Sequence, residues 1–387
     1  MKANFLLVLA LSLMMVSCGG GSGSSSKTAG TSGTGEVTTN DLTKERLSGK
    51  VKSIRQRVYW ALEKFGRIEK GKLQNLRAQD YLREYNEKGF LTEETFFDLR
   101  DSVVSARKIT YSQPGQIEKE ELYDGKKLSS VIRYTYENGK LQQKEISDGE
   151  GKLKERYAYS YYDSGWLMDE DKYNAGNQLA QKIVHVYDDK TSDNKLSEKQ
   201  YYWGGGSPYK KETMEYSASN FRVPGDIAVP EKEMLASIVT TKYQNKEEIF
   251  DGWVKFENYN QFGDYQTRTL FDKNDEKIEI SEYSYDKYGN LTRFETRKRL
   301  ITPVAEPTEP AEPQEPNEDG EESEEDIEED EAGEDINGDR WDAGTGAWYD
   351  YACDEQNNWT RKITYKIEAI DRESIRQFYY ERTITYY

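Results

Sequence analysis

The chain has 387 residues and a formal net charge of −18 at pH 7. Its length allows two or three domains, and the acidic balance argues against nucleic-acid binding. The 30 Tyr and 7 Trp residues supply large buriable surfaces with high strand propensity. Between Glu306 and Asp339 there are 18 Asp and Glu residues and no Lys or Arg. This segment accounts for the whole net charge, so the rest of the chain is near neutral and a folded body is predicted.

The N-terminus has the pattern of a signal peptide. Lys2 supplies a positive residue, and the 12-residue, largely apolar run from Phe5 to Val16 is too short to span a bilayer as a helix. Ser17 and Cys18 follow at the expected cleavage point. This arrangement resembles a bacterial lipoprotein signal, which implies a signal peptide over residues 1–17 and a lipidated N-terminal Cys18. The alternatives are an ordinary secretory signal with an incidental cysteine, or an uncleaved anchor.

Composition divides the rest of the chain into four segments. Residues 18–45 are rich in Gly, Ser and Thr, which predicts a flexible tether with a span of roughly 30 Å. Residues 46–301 form the predicted β-hairpin repeat body. Residues 302–339 begin with spaced prolines and continue with 14 acidic residues from Glu315 to Asp335, which predicts a disordered insertion. Residues 340–387 are predicted to complete the body.

Turn signals recur along the body at regular spacing. The first strand is predicted at Val51, Ile54 and Val58 to Trp60. The clearest unit is Glu282–Arg297, where two alternating strands flank a turn at Asp286 to Gly289. Turn residues 10 to 14 positions apart favour an all-β repeat architecture. The turn signals lie near Gly89, Asp101, Gly115, Gly125, Gly139, Gly151, Gly165 and Gly176, and again near Gly263, Asp275 and Gly289.

Alternation along the strands predicts one aromatic and aliphatic face and one charged face. The predicted apolar sets are Ile132, Tyr134 and Tyr136; Tyr157, Tyr159 and Tyr161; Ile363, Tyr365 and Ile367; and Phe378, Tyr380, Ile384 and Tyr386. The predicted fold class is therefore all-β, a long antiparallel meander of repeated hairpins. Its apolar side has to be covered, so the meander is expected to curl, to stack on itself or to meet a partner.

Three stretches carry a resemblance to a known family. They are Y-N-E-K-G-F-L at Tyr85–Leu91, Y-N-Q-F-G-D-Y at Tyr259–Tyr265 and Y-D-K-Y-G-N-L at Tyr285–Leu291. These motifs resemble the YD-repeat family, which includes the RHS shell proteins and small lipoproteins of Bacteroidetes. The resemblance covers roughly Tyr81 to Tyr216 and Trp253 to Tyr387. It implies a repeat architecture and no activity.

Candidate sites for chemistry are few. Asp335, Asn337 and Asp339 have the spacing of a calcium loop, but Arg340 and Gly346 replace residues that such a loop needs. A solvated acidic loop is the alternative. Trp166, Trp203, Trp253, Trp348 and Trp359 are candidates for stacking on a sugar, or are simply core and rim residues of the sheet.

The remaining chemistry-bearing residues are isolated. His185 is the only histidine and is predicted at a surface or sheet edge. Cys353 occupies a position where a sister repeat has Tyr285 and is predicted to be a buried free thiol. No nucleophile, nucleotide or redox motif occurs, so no catalytic residue and no cofactor is predicted. A pair of catalytic carboxylates for glycoside hydrolysis is a further alternative, because the distance between two carboxylates in the fold cannot be read from the sequence.

Together these features predict a lipid-anchored cell-envelope protein of the outer membrane. Its β-repeat body is expected to act as a non-enzymatic binding or scaffolding module. The alternatives are a carbohydrate-binding or carbohydrate-active envelope protein and a purely structural envelope component. The expected partners are the membrane, through the lipid anchor, and a glycan or another envelope protein.

Overall fold

The computed structural model describes residues 39–74, 76, 79–188, 195–219, 232–245, 247–300, 344–367 and 374–387. These residues form one short helix, α1 (Asp41–Lys44), and 21 strands. The strands are β1 (Val51–Lys64), β2 (Arg67–Leu73), β3 (Tyr81–Tyr85), β4 (Leu91–Phe97), β5 (Val103–Gln113), β6 (Gln116–Asp124), β7 (Lys127–Glu137), β8 (Lys140–Asp148), β9 (Leu153–Tyr161), β10 (Leu167–Asn174), β11 (Leu179–Tyr187), β12 (Leu196–Trp203), β13 (Pro208–Ser219), β14 (Lys232–Gln244), β15 (Glu247–Tyr259), β16 (Tyr265–Phe271), β17 (Lys277–Tyr285), β18 (Leu291–Lys298), β19 (Thr345–Cys353), β20 (Trp359–Ile367) and β21 (Ser374–Tyr386).

The strands close into an antiparallel barrel. From β3 to β21 each strand pairs with the next, and β1 pairs with β21 on one side and with β3 on the other. Ile54 lies at this closure, opposite Ile384 of β21 and Arg83 of β3. Twenty strands form the ring, and β2 extends from β1 as a hairpin. The all-β prediction is confirmed, and the meander curls until its first and last strands meet.

The turns explain why the sequence repeats. Eight turns in the described part of the chain begin with an Asp or Asn whose Oδ1 accepts the backbone N–H groups two and four residues later. This side-chain cap holds the backbone in the turn. The residue three positions after it has a positive φ, as at Gly289 (φ 83°). The capping residues are Asn86, Asp98, Asp148, Asn174, Asn260, Asp272, Asp286 and Asp354.

Tyrosines near the ends of strands tie several hairpins to the preceding one. The hydroxyl of Tyr161 donates to the carbonyl oxygen of Leu141 at 2.7 Å. The bond spans 20 residues, and Tyr111, Tyr216 and Tyr285 make equivalent bonds over the same interval. Tyr351 does so to Leu291 across the acidic segment. A hydroxyl bonded to a buried carbonyl satisfies both groups, so the tyrosine fixes the spacing between repeats.

Strand register defines an inner and an outer face. Ile132, Tyr134 and Tyr136 share the inner face with Tyr157, Tyr159 and Tyr161, as the alternation predicts. The inner tyrosines lie in a concave wall, where burial raises their pKa above the ordinary value, since it disfavours the phenolate. Tyrosines with a raised pKa on this wall include Tyr85, Tyr111, Tyr134, Tyr159, Tyr201, Tyr285, Tyr351 and Tyr380.

The predicted apolar set on β20 is buried but does not face inward. Ile363 and Tyr365 are 2% and 8% exposed, yet they lie on the outer face, where Tyr365 stacks on Trp348 with ring centroids 3.6 Å apart. A register shift beside Trp359 turns the following residues over, because a bulge adds one residue to one strand of a pair. Lys362 therefore faces inward. The set on β21 is confirmed, since Phe378, Tyr380 and Ile384 share the inner face.

Residues 39–50, here called the N-terminal clasp, lie across one end of the barrel. Residues 39–45 belong to the predicted tether, yet α1 packs on the barrel and Leu42 is only 6% exposed. Leu42 contacts the best-buried apolar cluster, formed with inner residues of β1, β3, β4 and β5: Val51, Ile54, Tyr81, Tyr85, Leu91 and Ile109. An apolar residue inside the predicted tether is the reason that the folded body begins earlier.

The clasp connects distant parts of the ring. Arg83 of β3 donates to Glu45 at 3.0 Å. The next residue, Arg46, donates to Asp264 at 2.6 Å, in the turn before β16. Ser48 and Asn358, in the turn before β20, exchange two hydrogen bonds. We call this end of the barrel the near end. Arg299 and Gly344, which flank residues 301–343, lie at the opposite, far end beside the turn between β16 and β17.

Candidate binding site on the inner wall

A girdle of charged side chains lines the inner wall at one level. After most near-end turns a bulge adds one residue to the strand that begins there. The inward residue at the girdle level is therefore the third residue after the first apolar residue of that strand. One strand of each hairpin thus contributes one side chain to the same level. We define the girdle by its charged members: Glu94, Glu120, Lys144, Glu170, Lys199, Arg268 and Lys362.

Most girdle charges lie beside an opposite charge on the same wall. Glu94 accepts from Arg83 at 2.7 Å, and Glu120 accepts from Arg107 at 2.7 Å and from Tyr134 at 2.6 Å. Such pairing is what allows charged groups to be buried. Arg268 donates to Glu279 at 2.8 Å, and Lys199 lies directly opposite Glu212 in the ladder.

Lys362 departs from this pattern. Its Nζ lies 4.2 Å from the ring centroid of Tyr380, 5.5 Å from Tyr349 and 5.4 Å from Trp359. Burial, and then the neighbouring Arg382, lower the pKa of Lys362 to about 8. Aromatic faces attract a cation and offset part of its lost hydration, whereas a second cation disfavours its charge.

Arg382 is held beside Lys362. Its guanidinium lies 3.5 Å above the ring of Trp359. Nε donates to Gln56 at 3.0 Å and Nη2 donates to the hydroxyl of Tyr81 at 2.7 Å. Gln56 is 3% exposed, so the arginine is fixed from the closure strand β1. The wall of β20 and β21 thus holds two cations at a defined position.

Lys362 was not found from the sequence. The motif W-T-R-K-I-T-Y at Trp359–Tyr365 reads by simple alternation as an apolar face with Lys362 pointing outward. The usable signal is the near-end pattern of an apolar residue, two intervening residues and a charged residue. It occurs as L-T-E-E at Leu91–Glu94, L-Q-Q-K at Leu141–Lys144 and W-T-R-K at Trp359–Lys362.

The tryptophans predicted as candidates do not come together. Trp253 stacks on Phe271 and, like Trp348, lies on the outer face. Trp203 stacks on Tyr209 at the far end. Trp166 is in the near-end turn before β10, on the opposite side of the ring from Trp359. Only Trp359 belongs to the cation cluster on the inner wall.

His185 and Cys353 differ from their predicted environments. His185 is inward-facing on β11 and 8% exposed, and burial lowers its pKa, with Lys199 adding to the effect. It faces inward because it lies directly opposite Lys199 of the girdle in the ladder. Cys353 is a free thiol but exposed, because it ends β19 at the near-end turn.

The calcium-loop candidates Asp335, Asn337 and Asp339 lie outside the described residues, as does Cys18. Among the residues that the structure describes, no group of three or more His, Cys, Asp or Glu side chains could hold a metal ion. Within the same ranges, no helix combines the length and the apolar character required to span a bilayer.

Comparison with known proteins gives little further information. The sequence matches no protein-family model and no curated protein. A crystal structure of a porin-like protein from Bacteroides uniformis is 11% identical, with 87% of this chain and 98% of that chain covered and a TM-score of 0.29. The TcdB2–TccC3–Cdc42 structure is also 11% identical, with 87% of this chain but 17% of that chain covered and a TM-score of 0.32. Both TM-scores are low, and neither likeness carries an argument about this chain.

The buried lysine makes a prediction about stability. In the unfolded chain a lysine has its ordinary pKa of 10.5, whereas Lys362 in the barrel has a pKa of about 8. Between pH 8 and pH 10 the unfolded state therefore binds more protons, and the free energy of unfolding rises with pH. Lys362→Met removes the charge while keeping the stem. We expect the variant to be more stable than the parent at pH 7, and the difference to shrink as the pH rises toward 10.

Urea unfolding of parent and variant at pH 7, 8 and 9 measures this difference. The window ends near pH 10, because tyrosines of the unfolded chain then ionise while the buried ones stay neutral, which lowers stability in both proteins. A pH-independent difference, or a variant less stable than the parent at pH 7, would contradict the assignment of Lys362 as a buried, weakly compensated cation.

Proposed function

We propose that the chain is a lipid-anchored cell-envelope protein whose barrel is a non-enzymatic binding or scaffolding module. The barrel stands in water beside the membrane. The observation that carries the proposal is the charge on both faces of the ring. The outer face bears ion pairs such as Lys108–Glu93, Lys255–Glu257 and Arg297–Glu282. The lipid-facing band of a membrane-spanning barrel is apolar instead.

These outer ion pairs are half exposed and contribute little to stability, about 0–1 kcal/mol each. Their role is to keep the outer surface soluble and to separate the barrel from other sheets. The inner wall is charged as well, through the girdle, and therefore suits a polar ligand. The proposed binding function uses only the part of this wall formed by β20 and β21, which carries Lys362 and Arg382.

The two ends of the barrel suggest its orientation. The described chain begins at residue 39 in the clasp, at the near end. A coil from Cys18 to residue 39 has an r.m.s. span of roughly 25 Å, so the lipid anchor places the near end toward the membrane. Arg299 and Gly344 lie at the far end, and the eight residues of β18 place this end roughly 25 Å further away. We propose that the far end points away from the membrane surface.

Substitution of the lipidated residue tests the proposal. Cys18→Ala is expected to abolish labelling by a fatty-acid analogue, and alkaline carbonate is expected to extract all of the variant from membranes. Cys353→Ala is the matched control, because it removes the other cysteine and is expected to keep both labelling and membrane association. Undiminished labelling of Cys18→Ala would refute the lipid anchor. A Cys18→Ala chain that resists extraction would show that the bilayer holds another part of the chain, either an uncleaved signal segment or the barrel itself.

A further inference from the structure

We propose that Lys362 and Arg382, with Trp359, Tyr349 and Tyr380 around them, form a binding site for a small organic oxyanion. The ligand class is a carboxylate or phosphate group carried on a compact ring. This inference deepens the proposed binding function by naming a ligand class, and it rests on that function. Nothing in it depends on the lipid anchor.

The first argument is the charge of the wall around the site. Going around the inner face from β19 to β1, the positions that neighbour Lys362 and Arg382 in the ladder are Tyr351, Tyr380 and Gln56. All three are uncharged. The nearest girdle charge beyond β1 is Glu94, which already accepts from Arg83. Two neighbouring cations that are partly shielded from water, with no carboxylate at the adjacent ladder positions, are costly, because each loses hydration and each repels the other.

The second argument is the geometry of the donors. Arg382 uses Nε and Nη2 for Gln56 and Tyr81, which fixes the plane of its guanidinium. Nη1 makes no hydrogen bond to a described residue. Lys362 likewise makes no hydrogen bond or ion pair to a described side chain, and its Nζ lies over the rings of Tyr349, Trp359 and Tyr380. An oxyanion placed between them gains one charge-assisted bond from each cation without moving the arginine.

The third argument is accessibility. Lys362, Arg382 and Trp359 are each partly exposed. Since all three face inward, the exposed surface opens to the interior of the ring. The indole and phenol edges beside the cations offer apolar contact for a ring, as aromatic residues do in binding sites with a few placed polar groups.

The contrast with Lys144 gives an internal control. Lys144 also belongs to the girdle, and its Nζ lies 3.9 Å from the ring centroid of Tyr157. Burial lowers the pKa of Lys144, but Glu170, Glu120 and Glu155 act in the opposite direction. Carboxylates of the wall therefore offset part of the cost of its charge, whereas no described carboxylate does so for Lys362. A site that merely attracts anions to any inner lysine would involve Lys144 as much as Lys362.

Calorimetric titration of the full-length chain in detergent tests the site with three probes. Glucuronate presents a carboxylate on a ring, inorganic phosphate presents the phosphate group alone, and glucose is the uncharged ring. We expect at least one anion to bind, with quenching or enhancement of tryptophan fluorescence, and glucose not to bind. Glucuronate alone would identify the ligand as a ring carboxylate, and phosphate alone as a phosphate ester.

Two variants identify the residues. Lys362→Met is expected to weaken anion binding by about tenfold or more, since it removes one partner of a desolvated charge pair. Lys144→Met is expected to leave binding unchanged.

Binding by the parent should also weaken as the pH rises above 8, where Lys362 loses its proton. The proposal is overturned if neither anion binds, if Lys362→Met binds as tightly as the parent, or if Lys144→Met loses as much. Any of these results leaves the Cys18→Ala outcome, and the envelope function, standing.

Discussion

Ile54→Ala is expected to lower the free energy of unfolding by about 2–5 kcal/mol. Ile54 is fully buried, at 0% exposure, and lies where β1 closes the ring between β21 and β3. Truncation leaves a cavity in the cluster that also holds Leu42 and Tyr85. Because β1 pairs with β21 on one edge and with β3 on the other, the substitution weakens the closure of the barrel as well as the local packing.

Ile249→Ala is the matched control, because it removes the same atoms from a side chain that is 43% exposed on β15. A change within about 0.5 kcal/mol is expected there. Urea unfolding curves give both values, and an unchanged slope shows that the unfolded states are comparable. Equal losses in the two variants would contradict a barrel whose best-packed region is the closure between β1, β3 and β21.

The local structure of the hairpins could be predicted from the sequence because its causes are local. Asp286 and Gly289 are three residues apart, and together they determine the turn through a side-chain cap and a positive φ. The inner position of Tyr134 and Tyr136 follows from simple alternation. These interactions lie within one hairpin, so one stretch of sequence contains them all.

Closure of the ring could not be predicted in this way. It depends on pairing between residues more than 300 positions apart, such as Ser53 and Thr385. No local pattern distinguishes a meander that closes from one that stacks. The clasp was missed for the same reason, since Leu42 and Arg46 acquire partners only when distant turns meet at the near end.

The cation site was missed because alternation was followed through a bulge. At Trp359 the register shifts, and the inward positions become Trp359, Lys362 and Thr364. If side chains are assumed to alternate strictly between the two faces from the turn onward, Lys362 is placed on the solvent face. The extra residue of the bulge reverses the face of every later side chain. The bulge recurs after the near-end turns, for example before Glu94 and Lys144. The girdle residues can therefore be identified by aligning the sequences of the repeats with one another, instead of comparing each repeat with a regular strand.

The second large effect on stability is expected at the far end, where the backbones of β11 and β12 approach each other closely. Gly204, at the start of the turn between β12 and β13, donates its N–H to the carbonyl oxygen of Ala180 at 2.8 Å. A Cβ atom on Gly204 would lie 1.8 Å from the carbonyl oxygen of Leu179. That contact is with backbone, so no side-chain rotation relieves it. Gly204→Ala is therefore expected to separate the ends of β11 and β12 and to lower the free energy of unfolding by about 3 kcal/mol or more.

The neighbouring Gly205 provides a control of the same chemistry one residue away. A Cβ atom there meets no atom within 4 Å, and Gly205 is not in the positive-φ region. Gly205→Ala is thus expected to be neutral or to raise stability by up to about 1 kcal/mol, because alanine restricts the unfolded chain. We expect Gly204→Ala to lower the urea midpoint and Gly205→Ala to leave it unchanged or raise it. If both variants lose stability, the loss in Gly204→Ala should be at least twice as large. Indistinguishable midpoints would mean that β11 and β12 do not approach as closely at the far end as the register from Gln181–Trp203 to Val186–Glu198 requires.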